Sequence, residues 1–460
     1  MLPRMFFHSL KLIVVGAALA AGVACAPSPA SAPSATHPAP AAATAAARPA
    51  AQPWRDRLAG GLAIAERYRA AGLDERRFTH DQLWRVLARY AGPASPAARV
   101  EPIGSSIQGR EIRAVTVGSG ATTVLLWSQM HGDEATATMS IADILRYFAE
   151  AEGDALRERL LRELTIVFVP MLNPDGAELF QRENAAGVDV NRDARRLATP
   201  EARALKSLRD RLEPRFGFNL HDQNARTRAG DDGLQAGIAL LAPAYNAARD
   251  YNDVRGRARL VAAAIAEGLA GEIAGRVAKY DDGFTPRAFG DLMQQWGTST
   301  VLIESGALPD DPQKQRLRAL NTAAILLALD AIATGDFQRA DPAWYEALPE
   351  NTGGAYDRLV TGGTLVLPGR APIRADLGIN YADAVARTGG SVREVGDLTD
   401  AVAIDTVDAR GLFLHPRGEA LFSREGDTGP GGWLRIGAPA KLELRRGPDP
   451  ASELVRALDD

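Results

Sequence analysis

Short apolar runs rich in Val, Ile and Leu alternate with longer segments of helical periodicity between about residue 100 and residue 304. Short apolar runs bounded by polar residues are typical of buried strands, and their alternation with helices is typical of an α/β domain. We therefore predict an α/β fold with a mixed central sheet flanked by helices. The strand candidates with polar chemistry at their carboxyl ends are Thr122–Met130, Leu164–Val169, Phe216–Leu220 and Thr300–Ile303.

The patterns before and after this region are different. Apolar positions have helical spacing from Trp54 to about Tyr90, and a helical segment from Asn321 to Thr334 closes the α/β region. After about Thr361, β-type runs separated by Gly-rich turns predict a small β-rich domain. We place the α/β domain at residues 54–340 and the β-rich domain at residues 356–458. The C-terminal β-type runs are Gly363–Leu367, Ala401–Val407, Trp433–Ile436 and Lys441–Leu444.

Residues 1–25 have the form of an export signal, with basic residues, an apolar run and then a cysteine. The apolar run is shorter than the stretch of about 20 residues that spans a bilayer. The tetrapeptide Gly-Val-Ala-Cys at 22–25 is similar to a bacterial lipobox, in which Cys25 is lipidated; ordinary signal cleavage nearby is the alternative. We expect an exported protein, periplasmic or membrane-anchored only through a lipid on Cys25, with residues 26–53 as a disordered Ala/Pro-rich tether.

Composition narrows the chemistry that the chain can carry. The 460 residues are 46% hydrophobic and 24% charged, as in ordinary globular proteins. The formal net charge of -4 lacks the basic excess that binding to a phosphate backbone requires, which argues against nucleic acid as a partner. Cys25 is the only cysteine, and this excludes disulfides, a cysteine nucleophile and cysteine zinc clusters.

Two histidines and one glutamate follow the ends of predicted strands. His131 and Glu134 are three residues apart, close enough on a helical turn to face one cation. His221 follows a strand with apolar residues on both faces, so its side chain is expected at the sheet end. Two His with one Glu is an established ligand set for a catalytic zinc ion. We predict one zinc ion on these three residues; for each of them alone, a solvated or core-edge side chain is the alternative.

Four further residues are candidates for chemistry beside that ion. Glu304 ends an apolar strand, where partial desolvation raises a carboxyl pKa toward the range of a general base. Arginine presents forked donors that match a carboxylate, so Arg182 and Arg192, with Asn191, could hold the free C-terminus of a peptide. Taken alone, a glutamate at a solvent-exposed strand exit and solvated surface arginines are the alternatives.

The combined order of these motifs resembles the zinc carboxypeptidase family of the pancreatic carboxypeptidase A and B type. The resemblance includes His-x-x-Glu at 131–134, Asn-Pro-Asp-Gly at 173–176 and Gly-Val-Asp-Val-Asn-Arg at 187–192. It runs from about Phe78 to about Thr334 and so covers just over half of the chain. The interpretation that it favours is a bacterial exported member of this family.

The resemblance implies a role for each residue of the metal centre. His131, Glu134 and His221 would bind zinc, and Glu304 would be the catalytic glutamate. Asp189 would brace the first zinc histidine from behind.

The resemblance also implies a substrate site. Arg182 would polarise the scissile carbonyl, and Asn191 and Arg192 would bind the substrate carboxylate. Tyr280 is the candidate for the family's mobile active-site tyrosine, although it precedes Asp291 by a few residues more than the family spacing.

These observations predict a zinc-dependent metallocarboxypeptidase that hydrolyses the C-terminal peptide bond of peptides with a free C-terminus. One alternative is a zinc amidase or deacylase that acts on N-acyl amino acids or cell-wall peptides with the same metal centre. The other is a non-catalytic binding lipoprotein. Release of single C-terminal residues discriminates the first two, and metal content tests the third.

Overall fold

The computed structural model describes residues 54–458 except 96, 232 and 424–431. The predicted export signal at 1–25, with Cys25, and the predicted tether at 26–53 lie outside the described residues and stay predictions. The helices are α1 Trp54–Arg67, α2 His80–Leu87, α3 Thr136–Glu150, α4 Ala155–Glu163, α5 Pro174–Leu179, α6 Pro200–Leu212, α7 Asp253–Leu269, α8 Phe289–Gln295, α9 Gln315–Thr334 and α10 Ala343–Glu346. Short 3₁₀ turns span Gly92–Ala94, Val190–Arg192, Asp336–Arg339 and Gly418–Ala420.

The strands divide into those of the α/β region and those that follow it. The first group is β1 Ala98–Ser105, β2 Glu111–Val117, β3 Thr122–Ser128, β4 Leu164–Val169, β5 Phe216–Asp222, β6 Arg228–Ala229, β7 Ile238–Leu241, β8 Val277–Lys279 and β9 Ser299–Ser305. The second group is β10 Asn351–Thr352, β11 Tyr356–Leu365, β12 Ile373–Asp383, β13 Thr388–Gly396, β14 Ala403–Asp408, β15 Phe413–Pro416, β16 Leu421–Phe422, β17 Trp433–Leu434, β18 Leu442–Arg445 and β19 Leu454–Ala457.

The α/β region is built on a mixed sheet of eight strands in the order β1-β2-β4-β3-β5-β9-β7-β8. The central strands β4, β3, β5 and β9 are parallel to one another, and antiparallel pairings join them to β2 and β7 on either side. Because the central strands are parallel, the carboxyl ends of β3, β5 and β9 meet at one edge of the sheet, where ligands bind in open α/β folds. The predicted α/β class with a mixed central sheet is confirmed.

Helices cover both faces of this sheet, and alternate side chains of a strand point to opposite faces. On β3, Val124 and Leu126 pack in a core cluster with residues of α1, α3, α7 and α9. Leu125 and Trp127 pack in a second cluster with residues of α6 and α8. In the described part of the chain, α9 alone is long and apolar enough for a membrane span, but its apolar window is 83% buried within the fold, as expected of a core helix.

A second sheet occupies the C-terminal region, as the Gly-rich β pattern predicts. Its strands run in the order β13-β12-β11-β15-β18-β19, with β14 paired to β11. This sheet has a hydrophobic core of its own, which includes Val360, Leu377, Val392, Leu414 and Leu442. The C-terminal β-rich region is therefore a separate layer with its own buried cluster.

Candidate metal centre and active site

The turn after β3 places two of the predicted zinc ligands. β3 ends at Ser128, and Gln129 adopts a left-handed φ of 49° that turns the chain. A Cβ on Gly132 would lie 1.9 Å from the carbonyl carbon of Gly176, so only glycine fits this close contact between two backbones. The contact fixes the position from which Glu134 leads into α3.

The other side of that contact is the start of α5. Asn173 caps the helix, because its Oδ1 accepts a hydrogen bond from the Gly176 N–H at 2.9 Å. Pro174 occupies the first turn, where its missing N–H costs no hydrogen bond. The Nδ2 of Asn173 donates to the carbonyl of Arg182 at 3.3 Å. The Asn-Pro-Asp-Gly motif thus joins the turn of His131 to the loop that carries Arg182.

Atoms of the three predicted ligand residues converge at the carboxyl edge of the sheet. His131 Nδ1 lies 2.7 Å from Glu134 Oε1, His221 Nδ1 lies 2.6 Å from Glu134 Oε2, and the two Nδ1 atoms are 3.2 Å apart. Tetrahedral ligands with bonds of about 2.0–2.1 Å to zinc are about 3.4 Å apart, so the donor atoms and their spacing fit one such ion. Within the described residues, no other group of three His, Cys, Asp or Glu brings its ligand atoms this close together.

Asp189 orients the first of these imidazoles. His131 Nε2 donates to Asp189 Oδ1 at 3.0 Å, which leaves the Nδ1 lone pair directed at the cluster. The same Oδ1 accepts from the Asn191 N–H at 2.8 Å. Asp189 Oδ2 accepts from Arg182 through Nη2 at 2.9 Å and Nε at 3.1 Å. One carboxylate therefore ties the imidazole to a guanidinium and to the turn that carries Asn191.

We expect Asp189→Asn to weaken metal binding by about 10- to 100-fold, the usual cost of losing a partner that supports a metal-bound histidine. The amide would keep the size of the side chain but lose the negative charge that holds His131. Competition with a chromogenic chelator measures the affinity, and Asp210→Asn, on the exposed side of α6, serves as the control. Equal affinity in Asp189→Asn and the wild type would contradict this role.

His221 and Glu304 lie directly opposite each other on neighbouring strands. They pair in register between β5 and β9, and neighbouring strands are about 4.8 Å apart. Glu304 is 7% exposed. Its burial, and secondarily the negative charge of Glu134, raise the pKa of Glu304 well above its ordinary value, which is the direction that a general base requires.

The protonation of the ligand residues reflects their contacts with one another. Burial opposes the charging of His131, but the carboxylates of Glu134 and Asp189 outweigh it and raise the pKa of His131 to about 9. Burial lowers the pKa of His221, and a second imidazolium beside the first would be repelled. Burial acts to raise the pKa of Glu134, yet the two imidazoles lower it overall. A dication between the three groups would favour neutral imidazoles.

A cavity of about 660 Å³ opens onto this cluster, and both arginines of the predicted substrate site, Arg182 and Arg192, line it. Arg182 Nη1 lies 3.1 Å from His131 Nδ1 and 3.4 Å from Glu134 Oε1, so its guanidinium stands beside the ligand atoms. Arg192 is exposed to solvent, and its Nη1 donates to the carbonyl of Asn191 at 2.9 Å. The guanidinium groups of Arg182 and Arg192 and the side-chain amide of Asn191 could therefore bind an anionic group in this cavity.

Asn191 and Tyr280 complete the predicted set. The Oδ1 of Asn191 accepts from the Phe289 N–H at 2.9 Å, and its Nδ2 lies 3.4 Å from His221 Nε2. The negative charge of Glu304, together with burial, raises the pKa of the Tyr280 phenol to about 12, so the phenol keeps its proton. The cavity is lined by His131, Glu134, Arg182, Asn191, Arg192, Tyr280 and Glu304, with Asp189 and His221 in contact with these residues.

Sequence reasoning did not single out a buried ion pair in the same cavity. Lys314 Nζ lies 2.9 Å from Asp222 Oδ2 and 3.2 Å from the carbonyl oxygen of Ser305, and the side chains of the pair are 4% and 9% exposed. The backbone N–H of Asp222 donates to Glu134 Oε2 at 3.1 Å, so the residue that forms this ion pair also contacts the carboxylate of a predicted ligand. The position of Asp222 next to His221 marks it in the sequence as a candidate site residue. Its partner Lys314 is 92 residues away along the chain, so no local pattern indicates the pair.

Comparison with known proteins finds similarity in the region that carries most of these residues. Residues 85–224 match the family Peptidase_M14, described as zinc carboxypeptidase. The chain is 33% identical to a probable carboxypeptidase 2 of Arthroderma benhamiae over 125 residues, and this aligned segment is 26% of this chain and 23% of that protein. It is 29% identical over 164 residues to carboxypeptidase Z of Homo sapiens, which covers 30% of this chain and 25% of that protein. The chain thus spans about a quarter of the length of these curated relatives.

Solved structures similar to this chain include two carboxypeptidases. A metallo-carboxypeptidase from Burkholderia cenocepacia is 19% identical with a TM-score of 0.44, over 56% of this chain and 70% of that one. Carboxypeptidase A from Helicoverpa armigera is 14% identical with a TM-score of 0.46, over 61% of this chain and 81% of that one.

Proposed function

We propose that this chain is a zinc-dependent metallocarboxypeptidase that hydrolyses the C-terminal peptide bond of peptides, and the match of residues 85–224 to the zinc carboxypeptidase family Peptidase_M14 supports this proposal. The observation that carries the proposal is the convergence of two imidazole nitrogens and one carboxylate beside a second, buried glutamate. Such a set is suited to hydrolysis, because it combines a metal site with a base. The substrate is a peptide with a free C-terminus.

The reaction needs one zinc ion, which His131, Glu134 and His221 would hold. When bound, zinc supplies a Lewis acid that polarises a carbonyl and lowers the pKa of water. Glu304 takes a proton from the attacking water and returns it to the leaving amine. The water oxygen becomes part of the new carboxylate, and the C–N bond breaks. The raised pKa of Glu304 supports this role, because a base must be strong enough to accept the proton.

Arg182 and Arg192 contact different groups of the substrate, the scissile carbonyl and the terminal carboxylate. Arg182 stands within 3.4 Å of the ligand atoms, so it is placed to donate to the carbonyl oxygen as negative charge develops there. Arg192 and Asn191 bind the terminal carboxylate, which sets the distance from the chain end to the scissile bond. Tyr280, with its phenol protonated, donates a hydrogen bond to the bound peptide.

We expect Arg192→Ala to lower kcat/KM for a free-acid peptide by about 100-fold, mainly through KM, because a charge-assisted pair of hydrogen bonds is lost. The same peptide with a C-terminal amide should be a poor substrate for both enzymes. Mass spectrometry of the products measures release of the last residue, and Arg203→Ala, outside the cavity, is the matched control. Equal rates on acid and amide in the wild type would refute carboxylate recognition. Cleavage of N-acyl amino acids without release of residues from peptides would identify the amidase alternative.

A further inference from the structure

The C-terminal β-rich region contacts the α/β region beside the cavity. Arg226, in the loop after β5, donates from Nε to Asp357 Oδ2 at 2.9 Å and from Nη2 to the carbonyl of Tyr381 at 2.7 Å. The short strand β10, which leads into this region, pairs with β6. These contacts fix β11 and β12 against the loop that leaves the metal centre.

The connection between β12 and β13, residues 384–387, reaches the cavity itself, and we call it the β12–β13 turn. Val385 lines the cavity. Asp383 holds the turn, because its Oδ1 accepts from two backbone N–H groups there at 3.1 and 2.9 Å. Its Oδ2 forms an ion pair with Arg76, whose guanidinium carbon lies 5.4 Å from the ring centroid of Phe180. Since Arg76 and Phe180 also line the cavity, the turn is part of its wall.

The site residues form a continuous series of contacts across the predicted metal centre. On one side, Asn191, which would bind the substrate carboxylate, approaches His221 with 3.4 Å between Nδ2 and Nε2. His221 contacts Glu134, and Glu134 accepts a hydrogen bond from the Asp222 N–H at 3.1 Å. This series of contacts therefore runs from the carboxylate site, through the predicted zinc ligands, to Asp222 at the end of β5.

The same series of contacts continues to β10, which leads into the β-rich region. Gln223 follows Asp222, and its Oε1 accepts from Asn351 Nδ2 at 2.6 Å. Asn351 belongs to β10, and both side chains line the cavity, as does Val385. Because this series of contacts begins at Asn191, which would bind the substrate carboxylate, and crosses the predicted zinc ligands, we assign Gln223, Asn351 and Val385 to the part of the peptide that precedes the scissile bond.

We infer that β10 and the β-rich region that follows it close this end of the cleft, through Asn351 and the β12–β13 turn, and so select short peptides over long ones. The inference rests on the proposed function and adds the substrate class. An extended peptide advances about 3.3 Å per residue, so each residue added before the scissile bond brings the chain closer to this wall. Di- and tripeptides are therefore expected to fit inside, whereas a longer chain would meet the wall formed by Arg76 and the turn.

The test compares kcat/KM for a tripeptide and a decapeptide that end in the same residues. The wild type is expected to favour the tripeptide. Val385→Gly should raise the decapeptide-to-tripeptide ratio of kcat/KM by about tenfold, because one added or missing methylene group in an apolar substrate site changes kcat/KM by at least that factor. Val385→Trp should lower the ratio. Asp383→Ala, which releases Arg76, should act in the same direction as Val385→Gly.

Val366 offers a matched control, because it is also a half-buried valine in the connection after a strand of the same sheet, away from this cavity. Val366→Gly and Val366→Trp should leave the length ratio unchanged, and thermal unfolding verifies that each variant is folded. Activity that is equal on both lengths in the wild type, or a ratio unchanged in every Val385 and Asp383 variant, would overturn the inference. Absence of carboxypeptidase activity on either peptide would instead refute the proposed function.

Discussion

Replacing Glu304 with glutamine is expected to lower kcat/KM by about 10³-fold, within the range that general-base catalysis contributes, while zinc content stays at the wild-type level. Glutamine has the shape of glutamate but cannot take a proton from water at neutral pH. Glu304 is not one of the three ligand residues, so the ion should remain bound. Initial rates with a free-acid peptide, measured together with zinc by mass spectrometry, give both quantities.

The control for this variant is Glu178→Gln, which makes the same chemical change outside the cavity. Glu178 Oε1 accepts from the His80 N–H at 3.0 Å, and a glutamine oxygen can accept that bond equally well. The activity of the Glu178→Gln enzyme should stay at the wild-type level. A Glu304→Gln enzyme that binds zinc fully and works at the wild-type rate would remove Glu304 from the mechanism.

His221→Ala should abolish stable zinc binding and, with it, all measurable hydrolysis. The change removes one of the three predicted ligands, whose Nδ1 lies 2.6 Å from Glu134 Oε2 and 3.2 Å from His131 Nδ1. Loss of a supporting partner alone costs about 10- to 100-fold in metal affinity, and loss of a ligand should cost more. Zinc stoichiometry after dialysis against a weak chelator is the measurement.

His80 provides the matched control for that experiment. It is also a buried histidine, but its Nε2 is hydrogen bonded to the carbonyl of Glu111 at 2.9 Å, away from the cluster. His80→Ala should therefore retain zinc. Full zinc occupancy in His221→Ala would show that the ion is held elsewhere and would also refute the proposed mechanism.

The fold and the resemblance to a family were largely predictable because apolar runs and motif spacing are local properties of the sequence. The run Leu164–Val169 coincides with β4, and residues 85–224 match the model of the zinc carboxypeptidase family that the motif order resembles. The predicted strand Phe216–Leu220 was too short, because β5 continues to Asp222. Polar residues at its end pair with β9, and this pairing depends on a strand about 80 residues away along the chain.

The C-terminal region shows the limit of the same approach. The predicted run Gly363–Leu367 covers only the end of β11, which begins at Tyr356. Its first half, including the polar Asp357 and Arg358, is held in the sheet by β12 and β14, which composition does not indicate. Contacts that depend on tertiary structure, such as Val385 in the cavity wall, were likewise outside the reach of sequence patterns.

The register between β5 and β9 also constrains how this protein can evolve. Successive side chains of a strand point to opposite faces of a sheet, so one residue inserted into either strand would send the imidazole of His221 and the carboxylate of Glu304 to opposite faces. Insertions in the intervening loops carry no such penalty. Lineages can therefore lengthen those loops, or append new segments beyond them, and change what reaches the reacting groups without disturbing the groups themselves.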